Sequence, residues 1–592
     1  MKRYYSLLMA LVLVFMTAQA ANFKYVGYCD GKIASDQAGY ILGKAGKGTV
    51  ECAVRLSADM FAEASGSQVT AVRVGFPEGE LPAGITVWVR ESLDGENIAQ
   101  GSAATVAAGW NLVNLDKPVD PFCGKDYFYG YTFEQSKKIN CISSVGAART
   151  DGYWIAKNAK WQDLSGNDSG CLSIEAVATG GDIIGDDITL EKCTLTPNKV
   201  VIGQPATLSG VVVNNGSNTL TGYTIRATVN GSEIYNQAFD ATLTYREELP
   251  FSVEFPTAGL PEMEDGVEVA IEVSFANASI SDQDPANNTV TVPLYAFAEA
   301  FPRNILYEEF ATEPCGYCPD AADRVKKVVA DNGWEDHFVY VGHHCGYLYD
   351  WLLLDESQEY LWFFSGGGFS PASLADRVRF DKYCSMGTAI FNPSNEEMVT
   401  NILKERYDTP AWVNLEGTAA VNDNGKIDIH LDGRFRGDPE NCERLTVFIC
   451  ESGIMAHNQN GRYGQEYIHE PVIRAMVTDP WGQQTEWNGR QMSVDLNDVE
   501  LNAEWKQENL YIAAFLSNYD PEDKLNCHVA NAVKIPLKTN SSVEGIATEG
   551  APVAVEYFDL AGARVAAPAE GVYVERTTYA NGTVSTQKVI VK

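Results

Sequence analysis

Through most of this chain apolar residues recur at every second position, and only between Phe301 and about residue 409 does the interval lengthen to that of a helix. Val72, Val74 and Phe76 alternate, as do Ile85, Val87 and Val89, and turn signals punctuate the runs at Asn214-Asn215-Gly216, Asn230-Gly231 and Asn424-Gly425. Strands with that pattern bury one face by packing sheet on sheet. At about 150 residues per domain, 592 residues call for several such modules in series. The expected fold class is multidomain and mostly β, with one central α/β domain.

Six segments follow. Residues 1–20 read as a signal peptide: Lys2 and Arg3 precede an apolar run from Leu7 to Met16, which ends in Ala18-Gln19-Ala20. Residues 21–180 read as a β-sandwich of jelly-roll type. The stretch from Gly109-Trp110-Asn111 through Leu115 and Pro118-Val119 to Gly124-Lys125-Asp126 resembles β-sandwich modules of Bacteroidetes surface proteins. Residues 182–298 resemble an immunoglobulin-like spacer of bacterial cell-adhesion repeats, 301–409 are the α/β unit, 410–538 are a further sandwich, and 541–592 are a small all-β module. Within the α/β unit, Ala321, Val325, Val328 and Val329 predict a helical face closed by Asn332-Gly333. An inserted helix is expected over Tyr349–Phe364 and a strand over Ala372–Val378. The last helix is expected to open with a capping box at Ser394 and Glu397 and to turn Val399, Ile402 and Leu403 inward.

Composition narrows the partners. With 44 Lys plus Arg against 79 Asp plus Glu, the net charge of −35 would repel phosphate backbones, so no nucleic acid is expected. No later stretch reaches the roughly 18 to 20 apolar residues of a membrane span, so no transmembrane segment is expected and the chain reads as exported. Thirteen cysteines in an oxidising compartment should mostly pair, with at least one left over because the total is odd. Taken singly, each outside the Cys315 pair reads as a buried half-cystine or a small core residue.

Chemistry concentrates at Cys315-Gly316-Tyr317-Cys318, which lies between a strand over Asn304–Phe310 and a helix. Unpaired amides and the positive end of the dipole at a helix start stabilise a thiolate. Cys315 is then the nucleophile toward a substrate disulfide and Cys318 the resolving thiol. Pro319 is compatible with a first turn. Glu309, on the strand beneath, could take the proton of the resolving thiol, although Glu308 competes for the inward face because a strand alternates. The donors Cys315, Cys318, His343, His344 and Cys345 would suit zinc, but one CxxC and an oxidising location favour a disulfide, so neither metal nor cofactor is expected. That disulfide could itself be structural.

The segment from Arg303 to about Tyr407 resembles a thioredoxin fold, and more specifically the outer membrane protein 28-related family, in Glu309-Phe310 followed by Cys315-Gly316-Tyr317-Cys318-Pro319. The resemblance implies a cis-proline facing the cysteines, at Pro371, and a buried carboxylate at Glu309. Pro314, where thioredoxins usually carry tryptophan, and the insertion around Trp351 to Phe364 depart from the pattern. Gln465, Tyr467, His469, Pro471 and Arg474 continue the likeness into the next domain, with His469 read as a structural hydrogen-bonding residue. Tyr557, Leu560, Gly562, Val565, Gly571, Tyr573 and Lys592 resemble a type IX secretion sorting domain. These resemblances imply a cell-surface or outer-membrane-associated thiol-disulfide oxidoreductase. Its partners would be disulfides or thiols of exported proteins and the type IX secretion machinery. The alternative is a surface adhesin for a host or surface ligand, with the CxxC as a staple.

Overall fold

The computed structural model describes residues 22–538 except 36–38, 167, 347–349 and 366–368, and beyond them 552–558, 564, 565, 568, 571–579 and 584–591. Residues 1–20, where a signal peptide is expected, much of the C-terminal module and the Gly366-Gly367-Gly368 loop lie outside the described residues. The chain is mostly β and divides into two compact units, Met1–Ala298 and Glu299–Lys592.

In the first unit, Phe23–Gly27, Ile174–Thr179, Gln68–Phe76 and Gly109–Val119 form one sheet in that order. A six-stranded sheet running from Lys160–Asp163 to Ala99–Ala103 supplies the other half of a common core in which Val72, Val74 and Ile174 meet Val54, Val87 and Tyr129. The alternation along Gln68–Phe76 and Ile85–Arg90 thus does what period two predicts. A three-stranded and a five-stranded sheet then enclose Leu208, Val212, Ile225 and Ile271. Fully buried Glu175 joins the two parts, accepting from Arg73, from Arg246 at 2.9 Å and from the Gly31 N–H at 3.0 Å.

The second unit opens with a three-stranded sheet. Strand β1 (Ile305–Ala311) is central, parallel to β2 (Phe338–His344) and antiparallel to β3 (Ala372–Ala375). Helix α1 (Cys318–Asn332) carries Pro319 in its first turn and stops at Gly333, whose left-handed backbone (φ 67°) lets its N–H reach the Ala330 and Val329 carbonyls. The inward residues of α1 and of α3 (Glu396–Asp408) cover one sheet face, packing on Ile305, Tyr307 and Phe338. Helix α2 (Asp355–Ser365) covers the other together with strands from the 410–538 region, so Leu306, Phe310 and Val341 pack on Tyr360, Phe364, Phe448 and Phe515.

Burial on both faces resolves the competition between the adjacent acids. Period two admits only one of them to a given face, but here neither face is wet, and both are buried. Glu308 faces α2 and takes a bidentate pair from Arg377 at 2.7 and 2.8 Å, with His343 Nε2 at 3.4 Å. The rings of Tyr360, Phe364 and Phe515 surround the guanidinium at about 5 Å. Glu309 faces the α1 side.

Several local expectations are corrected. The inserted helix is Asp355–Ser365, shorter than Tyr349–Phe364. Strand β3 ends at Ala375 and not Val378, because Asp376 and Arg377 take left-handed φ values of 48° and 56°. Asn395, not Ser394, caps α3, its Oδ1 accepting from the Met398 N–H at 2.9 Å. Among the described residues only Cys315 and Cys318 are bonded. Cys29, Cys52, Cys141, Cys171, Cys345, Cys450 and Cys527 are buried free thiols, three of them on strands (Cys52, Cys171 and Cys450) and the others in connecting segments, each filling its place as a small apolar residue. Eight of the 410–538 strands belong to one sheet, continuous where Ala419 and Ala420 pair with Leu537 and Lys538, while Ile454–Met455 and Ile468–His469 pair separately. Pro552–Phe558, Arg564–Val565, Gly571–Tyr579 and Val584–Val591 make a four-stranded antiparallel sheet.

Burial raises the Glu308 carboxyl, but Arg377 and His343 more than offset it and hold it below the ordinary range. A depressed carboxylate stabilises the fold above its unfolded pKa of about 4.3, and that contribution is lost as pH falls below it. Arg377→Met, which strands the acid, should cost about 3 to 5 kcal/mol at pH 7 in urea unfolding, and far less at pH 3. Glu308→Leu in the same chain should recover most of the loss.

Candidate functional site

Strand β1 delivers the chain into a tight turn in which the Cys315 N–H donates to the Thr312 carbonyl at 3.0 Å. Helix α1 begins at Cys318, with Tyr317 at its N-cap, so the second cysteine holds the first helical position and the first sits three residues earlier, bonded to it. Cys318 is 4% exposed, Cys315 is half-buried and Tyr317 between them is 79% exposed. Cys315 is therefore the more open residue of the pair and Cys318 the enclosed one, and both lie at the positive end of α1.

Glu309 lies at the end of β1. It is 6% exposed, Tyr340 donates its hydroxyl to Oε2, and Oε1 has no protein partner. Burial pushes this carboxyl up, with the Tyr340 hydroxyl and the Lys326 ammonium acting against the rise. A cavity of about 20 Å³, enough for about one water, is lined by Glu309, Cys318, His344, Gln459, Tyr467 and His469 among others. Pro371 follows a cis peptide and immediately precedes Ala372, which pairs with Phe310, so it stands at the strand end from which the cysteine turn departs. The structure thus gathers Cys315, Cys318, Glu309 and Pro371 at one end of the sheet. It sends His343 to the Glu308 side, stacked on Phe310, and buries Cys345 as a free thiol.

A segment of the following β region is built into this site. The Glu313 carboxylate accepts from the N–H groups of His457 and Asn458 at 2.7 and 3.2 Å and from Trp351 Nε1 at 2.9 Å, and it lies 3.3 Å from His469 Nε2. Burial raises its pKa, and these four partners more than compensate. Gln459 Nε2 donates to the carbonyls of Glu313 and Cys315, both at 3.0 Å, and Asn460 Nδ2 to that of Pro314 at 2.9 Å. Arg462 reaches Asp320 and Asp323 on α1 at 2.8 Å. Gly461 lies so close that a Cβ there would fall 2.3 Å from the Gly316 oxygen, and its φ is +84°.

Glu313, Gln459 and Asn460 carry no motif, and the reading of the residues missed them. Of the block that continues the family likeness, Tyr467, His469 and Pro471 border the cavity, whereas Arg474 pairs with Glu451 at 3.3 Å, and Gln465 donates its N–H to the Arg462 carbonyl.

No family model and no curated protein matches the chain. Solved structures with some likeness include HBP35 of Porphyromonas gingivalis, at 19% identity over 50% of this chain and 100% of that one, with a TM-score of 0.34. A domain of the outer membrane lipoprotein Omp28 from Porphyromonas gingivalis is 22% identical over 23% of this chain and 96% of that one, with a TM-score of 0.16. The CARDB domain of the PF1109 protein from Pyrococcus furiosus, in complex with di-metal ions, is 19% identical over 19% and 94%, also with a TM-score of 0.16. At these scores the likenesses assign neither a family nor an activity.

Glu313→Ala strands four donors at once and should cost about 3 kcal/mol, with Glu313→Gln costing less because its amide oxygen still accepts. Urea unfolding checks the magnitude, and trypsin should cut at Arg462 faster in the alanine variant than in the parent.

Proposed function

We propose that the chain is an exported, surface-associated thiol-disulfide exchange protein of thioredoxin-like design. The observation that carries the reading is the asymmetric pair: a half-exposed Cys315 bonded to an enclosed Cys318 at a helix start, with a buried carboxylate lining the same cavity as the second sulfur. In the reduced site the Cys315 thiolate attacks a substrate disulfide. The substrate S–S bond breaks, one substrate sulfur leaves as a thiolate, and a mixed disulfide forms. Cys318 then gives its proton to Glu309 and attacks Cys315 Sγ, which releases the second substrate sulfur and closes the Cys315–Cys318 bond. Two electrons pass to the substrate, and the same steps in reverse oxidise a dithiol. Glu309 suits the proton transfer because burial brings its pKa nearer that of a thiol. Export rests on the 1–20 segment and surface delivery on the 541–592 module.

Equilibration with glutathione buffers should place the Cys315–Cys318 couple above about −300 mV, with turnover in an insulin-reduction assay that Cys315→Ser abolishes. A lower potential without turnover would identify a fixed staple and overturn the proposal. Deletion of 541–592 should trap the protein in the periplasm, as read by surface proteolysis of intact cells, and unchanged surface delivery would remove the sorting role.

A further inference from the structure

The cavity behind Cys318 holds more titratable groups than a single proton acceptor needs. His344, the last residue of β2, lines it beside Glu309 and Cys318. Its Nδ1 lies 2.7 Å from Asp350 Oδ2, and the Asp350 carboxylate also accepts from the N–H groups of Glu313 and Leu352 at 2.8 and 2.9 Å. That set fixes the ring, leaves Nε2 as the nitrogen that can exchange a proton, and places a carboxylate where an imidazolium would need one. The His469 ring stands edge-on to His344 at 4.5 Å.

We propose that His344, oriented by Asp350, is the proton relay of the exchange site: it takes from Glu309 the proton that Glu309 removes from Cys318, and returns it when the reaction runs in reverse. The proposal rests on the exchange reading and names a group that reading leaves unused. The Cys318 S–H bond breaks toward Glu309 through the one water the cavity can hold, and the Glu309 O–H bond then breaks as His344 Nε2–H forms. The resulting imidazolium is balanced by Asp350, and Glu309 returns to its charged form. No electrons move in these transfers.

The surrounding groups agree with this assignment. His344 is faced by Glu309 from β1, by Cys318 from the start of α1, by Asp350 from the following turn, and by Tyr467, Glu470 and His469 from the β region, His469 being 3.3 Å from the Glu313 carboxylate. Tyr340 from β2 holds Glu309 from the α1 side, where Lys326 and Asp323 also act on it. Burial, then His344 itself, pushes the His469 imidazole down to about 4, so it stays neutral and donates to Glu313 rather than competing for the proton. Burial raises the Asp350 carboxyl, and its bonds to His344 and to the two N–H groups more than reverse that, so it remains an anion.

The test is single-turnover reaction of the reduced full chain, with the accessible thiols Cys123, Cys193 and Cys384 replaced by serine in parent and variant alike, with 5,5′-dithiobis(2-nitrobenzoate), followed from pH 5 to 9. Release of the first thionitrobenzoate reports attack by Cys315, and release of the second reports attack by Cys318. His344→Asn keeps a donor toward Asp350 but cannot carry the proton. It should leave the first release unchanged and slow the second about tenfold at pH 7. The slowed rate should rise with hydroxide until the two proteins converge near pH 9. An unchanged second release in this variant overturns the relay while leaving the exchange reading intact. Absence of both releases from the parent chain overturns both. Should the variant fail to fold, the nitrogen-15 chemical shift of His344 Nε2 in the parent decides. It should titrate at a different pH in the reduced and oxidised protein, and one common titration rejects the proposal.

Discussion

The second unit depends on a three-stranded sheet that is dry on both faces. A strand at its centre has no solvent side, so every residue of β1 from Ile305 to Phe310 is buried, acids included. A buried carboxylate is tolerated only when its charge is met or its proton is kept. The two neighbours divide these solutions between them: Glu308 is met by Arg377 and lies low, while Glu309 receives a tyrosine hydroxyl, keeps one oxygen unpartnered, and lies high. One is held in an ion pair and the other keeps an oxygen unpartnered in the cavity it shares with Cys318, though they are adjacent in sequence and alike in chemistry.

The second constraint is the build of the cysteine turn. A short turn ahead of a helix has few backbone bonds of its own, and here the carbonyls of Glu313, Pro314 and Cys315 are taken by Gln459 and Asn460, from another part of the chain. The strands of the 410–538 region also replace what would otherwise be solvent on one face of the sheet. A domain beginning at Phe301 and ending near residue 409 would leave that face and that turn unsupported. The β region is thus part of the site and not an appended module.

Legibility follows from the range of the interaction. Helix α1 was readable to its end because its apolar face, its first-turn proline and its terminal glycine are all local. The cysteine pair and the acid six residues before it were readable because strand, turn and helix are consecutive. The cap of α3 was misplaced by one residue, since Ser394 and Asn395 are both good caps and only the backbone decides between them. The cysteines were misread as mostly paired because composition reports a compartment and not a distance. Glu313, His344, Asp350 and Gln459 were not readable as a group, since 146 positions separate Glu313 from its Gln459 partner.

By itself the sequence determined the alternation that makes the chain mostly β, the single helical interval, and the order of strand, CxxC and helix that brings two sulfurs to a helix start. These are local properties, set by side-chain periodicity and by backbone preferences over a few residues. Only the tertiary structure decided which of two adjacent acids stands near the cysteines, which sulfur is enclosed, and which distant residues line the cavity behind it. The physical reason is that burial and charge are properties of a place, and a place is defined by everything packed around it.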